Sequence, residues 1–368
     1  MSAEHVTLSE AKTRLDRLIG KARALLCKPI GIAETLYRHR VEQTVDLSQL
    51  GQYRRRSYDW CQEICHALYG RRPVLNSRYW DQLFDPGVMP PDFLAVLGRE
   101  NQRQDGIVET YIYGYVFNKV EGILEILNSV AKCAPKEFDL KSFLNRFEGD
   151  RRFRRSVDKA YEIVVYALFS TITKYLNATI TLSVDPKGDI LKDFQEFAKL
   201  VLGVDPAHPK IQQPARLYRV GTANAADAGL DMWANFGPAV QVKHLSLSPS
   251  DFEGICGSVQ ADQIVIVCKS VEAASIEAVL SQVGFSSRIR GVITEIDLSR
   301  WYRLACGTKY HQTIGKDLLR AILEELALEF PLTQADRVNG FLAERGYDVK
   351  RLVGTWEVRG EEAEEGDE

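Results

Sequence analysis

The sequence has no apolar run that reaches the ~18 residues a membrane span needs, so no membrane-spanning helix is expected. Its start, "MSAEHVTLSEAKTRLDRLIG", lacks a basic stretch followed by an apolar core. No secretory leader is expected from it. Net charge is scarce as well, at −3, so the global balance neither demands nor excludes a polyanionic partner. There is no internal repeat, and no low-complexity segment apart from an acidic end. Seven cysteines is an odd number, and they are scattered in mostly apolar surroundings. That pattern does not make a disulfide scaffold and reads as a reduced, cytoplasmic protein.

What is present is enough apolar material for a sizeable core. The 368 residues are 45% hydrophobic, which fits two domains. Charge is unevenly placed. The end, "GEEAEEGDE", carries Glu361, Glu362, Glu364, Glu365, Asp367 and Glu368, a block that reads as solvated and disordered. Without these six acids the rest of the chain is formally about +3. Positive charge clusters in "YRRRSY" (53–58) and "DRRFRRS" (150–156).

The first 150 residues read as mainly helical. Helical spacing marks 8–27, with Ser9 as candidate cap, then 57–70 and 106–133; "DPGVMPP" (85–91) reads as a loop. Beyond 155 helices and strands mix. Helices are expected at 156–177, 189–203, 248–259, 270–284, 314–330 and 333–346. Strands are expected at 178–186, 215–221, 231–235, 239–247, 262–269 and 287–297. This density predicts an α/β core with a mixed sheet flanked by helices.

One stretch carries chemistry: "GLDMWANFGPAVQVKHLSL" (229–247). Read as a hairpin centred on Gly237, it sets Asp231 opposite Lys243. Alternation puts Gln241 on the same face as Lys243. Cross-strand neighbours have Cβ atoms roughly 5 Å apart, so the three side chains converge if the register holds. Such a group suits metal-assisted hydrolysis of a phosphodiester. Mg²⁺ takes hard oxygen ligands from one or two carboxylates plus substrate phosphate. Asp231 would be the main anionic ligand. The Gln241 side-chain carbonyl or the Val242 backbone carbonyl would supply another oxygen. Lys243 would hold or deprotonate the attacking water and offset charge on the phosphorane. The same residues also fit a plain Asp–Lys pair across an exposed hairpin, with Gln241 a passenger.

The pattern resembles the PD-(D/E)xK nucleases and, within them, the HaeII-type restriction endonucleases. The resemblance rests on "DKAYEIVVYALFSTI" (158–172), "SVDP" (183–186), "RVGTANAADAGLDMWANFGPAVQVKHLSL" (219–247), "ADQIVIVCK" (261–269) and "LSRWY" (298–302). It runs from about residue 8 to 331. It implies a restriction-endonuclease-like core at 151–310, a helical region at 1–150 for DNA binding or dimerisation, C-terminal helices at 311–350 and an acidic tail at 351–368. Asp231, Gln241 and Lys243 take the three motif positions. Leu230 stands where the motif has proline, and Gln241 replaces the second carboxylate. Glu162 sits where many members place an auxiliary carboxylate, and it also fits a solvated or capping glutamate. Asp227 and Asn224 are weaker candidates. The resemblance further implies Mg²⁺ as cofactor, cleavage of double-stranded DNA at a short palindrome (RGCGCY expected), a homodimer, and a cognate methyltransferase as functional partner. Another nuclease of the superfamily, methyl-directed or repair, and a non-catalytic DNA-binding protein remain as alternatives.

Arg54, Arg55, Arg56, Arg152, Arg154 and Arg155 are candidates for phosphate contacts, which position a protein on DNA without reading bases. Cys61, Cys65 and His66 share a helix. Without a fourth ligand or a C-x2-C knuckle, the cysteines read as a buried, inert pair rather than a zinc site. His244 is expected on the face opposite Lys243.

Overall fold

The structure, a computed structural model, describes residues 6–358 apart from 23–25, 71, 74–79, 151, 221–229, 247–250, 252–253, 256, 258, 260, 271–287 and 331–334. Among the described residues five strands build the central sheet: β3 (Leu217–Arg219), β4 (Met232–Ala234), β5 (Ala239–Lys243), β6 (Ile264–Cys268) and β7 (Ile289–Thr294), in that spatial order. The first three run antiparallel and the last three parallel. This is the mixed sheet expected from the strand pattern. A separate two-stranded sheet pairs β1 (Thr179–Ser183) with β2 (Lys210–Pro214). The polar text of β2, "KIQQP", gave no strand signal.

The helix Val157–Tyr175 lies across the main sheet. Val157, Ala160, Tyr161, Val164, Leu168 and Thr171 are buried on one face at helical spacing. Ile163, Val165 and Ala167 are buried too, because the helix Lys316–Glu329 covers its other side. Tyr302 pins it by donating a hydrogen bond to the Val164 carbonyl at 2.8 Å. Tyr302 belongs to a helix, Glu295–Cys306, that was not expected from periodicity. Its start is a capping box of Thr294 and Asp297, readable in "TEID". The first helix, Leu8–Gly20, likewise starts on a capping box of Thr7 with Glu10. Ser9 is therefore already inside the helix and does not cap it.

Two main cores result, and the long helix Ile107–Lys132 serves both. Val108, Tyr111, Ile112 and Val116 pack in the first, Ile123, Ile126, Leu127 and Val130 in the second. The change of core falls between Val116 and Ile123, not at residue 150. The C-terminal part also divides. Leu318, Leu319, Ile322 and Leu326 join the second core, while Val338, Leu342, Leu352 and Trp356 return to the first. Burial of Leu352 and Trp356 excludes them from a solvated tail; 359–368 lie outside the described residues, as do 271–284 of the helix expected at 270–284.

Between helix and sheet sits a buried charge cluster. Arg219, on β3, pairs with Glu325 at 2.8 Å, with Glu329, and with Glu162 at 3.9 Å. The guanidinium is only 6% exposed, so removing it leaves several carboxylates facing a poorly solvated space. Arg219→Met is expected to lower the unfolding free energy by about 3–5 kcal/mol, measured by urea denaturation. A loss below about 1 kcal/mol would show that the cluster is solvated after all.

Candidate active site

The hairpin of β4 and β5 turns through Asn235, Phe236 and Gly237. The Ala234 N–H donates to the Pro238 carbonyl, and the Gly237 N–H donates to the Ala234 carbonyl, both at 3.0 Å. Gly237 has φ +117°, a conformation that a Cβ would strain. Pro238 has no N–H to return to Ala234, and the Gly237 N–H makes that bond instead; the turn is centred one residue earlier than in the symmetric hairpin read from the sequence. The Asn235 side chain fixes the turn, accepting from the Arg216 N–H at 2.8 Å and donating to the Pro214 carbonyl at 3.1 Å.

The register corrects one expectation. Met232 pairs with Val240 and Trp233 with Ala239. Continuing that ladder by one residue sets Asp231 beside Gln241, not opposite Lys243. The slip is by two residues, so the parity survives and the side chains still share a face. The outcome is closer contact than expected. Asp231 Oδ2 accepts from Gln241 Nε2 at 2.6 Å and from the Val242 N–H at 2.7 Å. Gln241 is 4% exposed, and its Oε1 is a buried oxygen with no hydrogen-bond partner among the described residues. Lys243 is exposed at the end of β5, near enough to lower the Asp231 pKa.

Burial dominates the electrostatics of Asp231 and pushes its carboxyl up to about 6. The Val242 hydrogen bond opposes this, the Glu162 charge adds to it, and Lys159 and Lys243 oppose it. Glu162 is thus part of the same field. It is 5% exposed on the Val157–Tyr175 helix, which removes the reading as a solvated glutamate. Lys159 Nζ holds both its oxygens, at 2.7 and 2.8 Å. Lys159 and Arg219 were missed from sequence. Lys159 lies three residues before Glu162, a spacing that pairs side chains on a helix; Arg219 gave no local signal.

His244 points away from Lys243 and faces Asp158, with Nδ1 to Oδ1 3.4 Å. Asn224 and Asp227 lie outside the described residues. Arg55, Arg56, Arg154 and Arg155 are exposed, and Arg54 is half-buried against Asp81. Arg152 is held by Asp150 at 2.6 Å and by the Asn118 carbonyl at 3.2 Å. Cys61 and Cys65 are buried with Cys27, the three sulfurs within 4.8 Å of one another, and His66 is exposed. Hydrogen bonding to Cys27 and burial keep both thiols well above their ordinary pKa range.

The donor set around Asp231 fits a hard divalent cation. It offers a carboxylate, an unpartnered amide oxygen oriented by the hydrogen bond its own NH₂ group makes, and a second carboxylate nearby. A mixed sheet under a long helix, with carboxylates and a lysine gathered at a strand end, defines a restriction-endonuclease-like nuclease core. Comparisons with known proteins agree. The HaeII restriction endonuclease family matches residues 11–347. Type II restriction enzyme HaeII of Haemophilus aegyptius is 41% identical over 339 residues, covering 92% of this chain and 96% of that protein. Type II restriction enzyme NgoBI of Neisseria gonorrhoeae is 43% identical over 350 residues, covering 94% and 99%. The chain belongs to the HaeII restriction endonuclease family. No solved structure matches it significantly, and no helix among the described residues is long and apolar enough to cross a membrane.

The raised Asp231 carboxyl has a stability consequence with a definite sign. The folded value, about 6, lies above the ordinary 3.8. The contribution of Asp231 to stability is therefore full below pH 3.8 and is lost as pH rises through about 6. Asp231→Asn can still accept both hydrogen bonds and never ionises. It is expected to stabilise the metal-free protein by about 1–3 kcal/mol above pH 6 and to have little effect near pH 4. Thermal melts of both proteins in chelator across that range test this. An equal shift at every pH would mean that ionisation is not the cause.

Proposed function

We propose that this chain is a Mg²⁺-dependent type II restriction endonuclease that hydrolyses both strands of DNA at a short palindrome, RGCGCY. Family membership supports the reaction class. The observation that carries the site is the buried, unpartnered Oε1 of Gln241 beside the Asp231 carboxylate. An orphaned buried oxygen is costly, and a cation there would relieve it. Asp231 and Gln241 would hold the ion, with the Val242 carbonyl as a further oxygen. Glu162, positioned by Lys159 and Arg219, would supply the carboxylate that the motif lacks at position 241. Bound there, Mg²⁺ supplies Lewis-acid polarisation of the scissile phosphate.

The chain's own part is to place water and balance charge. Lys243, exposed at the end of β5, would orient the attacking water or take its proton as the new P–O bond forms and the ester bond breaks. Its ammonium form offsets the negative charge that gathers on the phosphorane. Arg54, Arg55, Arg56, Arg154 and Arg155 would neutralise backbone phosphates. Arg152, already committed to Asp150, would chiefly shape that surface. Cutting two strands of a two-fold site is done most simply by a two-fold dimer. Such an activity belongs in the cytoplasm beside a methyltransferase that protects the host's own sites.

Incubation of purified protein with unmethylated plasmid and Mg²⁺ tests the reading. Discrete fragments are expected from a plasmid containing RGCGCY and none from one lacking it. Lys243→Ala and Asp231→Ala should each slow cleavage by at least about 10²–10³-fold. Cleavage of methylated or branched DNA alone would reassign the chain to another nuclease activity. DNA binding without cleavage would end the enzymatic reading. Glu162→Gln is expected to raise the Mg²⁺ concentration for half-maximal cleavage by about 10–100-fold; an unchanged requirement would remove Glu162 from the site.

A further inference from the structure

The segment between β1 and β2 is built the wrong way round for a lone protein. From Asp189 to Leu202 it is nearly continuous helix, bridged by the Phe194 N–H to the Ile190 carbonyl and the Ala198 N–H to the Phe194 carbonyl, each at 2.9 Å. Leu191 and Ala198 face inward, onto a small core with Val204, Val184 and Ile211. The outward face is apolar too. Ile190, Phe194, Phe197 and Val201 recur at steps of four, three and four, and are 77%, 61%, 55% and 62% exposed. Leu200 beside them is 77% exposed. A two-stranded sheet on so small a core is marginal by itself, and exposed apolar patches of this extent mark interaction sites.

We propose that this stripe is the surface through which two copies of the chain pair; the proposal rests on the paired-enzyme reading above and says where the pairing occurs. Two features select a second copy as occupant. Together with Leu182, the stripe exposes on the order of 700 Å² of apolar residue, close to the roughly 800 Å² each partner gives to a standard interface. Its rim is balanced. Lys187, Lys192 and Lys199 are matched in number by Asp189, Asp193 and Glu196. DNA would need a positive field there, whereas a neutral rim leaves like surfaces free to meet. Each copy then carries its own Asp231–Lys243 site, and the pair serves one two-fold DNA site.

Sedimentation velocity of the full chain, with and without duplex DNA, tests the proposal. The wild type is expected at two-chain mass at micromolar concentration. Phe194→Asp with Phe197→Asp should raise the dissociation constant at least 100-fold, with circular dichroism unchanged since both side chains are exposed. A second variant, Leu200→Cys, should cross-link into a two-chain species with a short bis-maleimide. If the wild type is a dimer and the double variant is equally dimeric, or Leu200→Cys fails to cross-link, the stripe is not the interface and the paired-enzyme reading survives. If the wild type stays at one-chain mass even on DNA, both fall. Should the monomeric double variant cut both strands at the wild-type rate, the surface stands but pairing is not needed for cleavage.

Discussion

Everything at the site depends on the two hydrogen bonds that Asp231 Oδ2 accepts from β5, one from the Gln241 amide and one from the Val242 backbone. They compensate part of the cost of burying a carboxylate. They also fix the hairpin at the position where side chain and ladder agree, so the site and the register specify each other. Because the amide donates to Asp231, the Gln241 side chain is held in one orientation. The same contact that solvates the carboxylate therefore also fixes the neighbouring amide oxygen. A looser turn could bring the residues together, but it would not hold the amide in one orientation.

The surroundings are arranged around an excess of negative charge. Glu162, Glu325 and Glu329 crowd Arg219 under the sheet, and Lys159 caps Glu162 from its own helix. Burial raises the carboxyls of Asp231 and Glu325 even so. On the proposed reading, a cation bound beside Asp231 and Glu162 would turn this excess of negative charge into binding energy. That exchange of stability for function is common at sites built to stabilise developing charge. It also explains why the Val157–Tyr175 helix is buried on nearly all sides. Only a rigidly packed helix keeps Glu162 within range of Asp231 while Lys159 and Arg219 hold its oxygens.

Much of this was legible before any coordinates. The strands that carry Asp231 and Gln241 are short, apolar and bounded by turn residues, and the helix under them has unmistakable spacing. The register was not legible, because it depends on how Pro238 and the positive φ of Gly237 close the turn. Nor was the division into cores. The helix Ile107–Lys132 is apolar enough to be buried along most of its length, and its sequence cannot say that its two halves serve different cores. Lys159 and Arg219 escaped for another reason. Their importance lies in what they neutralise, and Glu325 and Glu329 are more than a hundred residues away from Arg219. The capping box before Glu295, by contrast, is written in the local text "TEID".

The glutamine at position 241 now has a physical reason. A glutamate there would set a second carboxylate within hydrogen-bond distance of Asp231, and two such anions cannot both ionise cheaply. The amide instead places a neutral donor against Asp231, where a glutamate would place a charge. The second negative charge is moved to Glu162, which reaches the site from a different element and brings its own counter-charges. On the proposed reading the site would keep two carboxylates for a cation but separate their costs. One is solvated by backbone and amide donors on the sheet, the other by Lys159 and Arg219 between helix and sheet. The glutamine that makes the motif look incomplete spares Asp231 a second anion at hydrogen-bond distance.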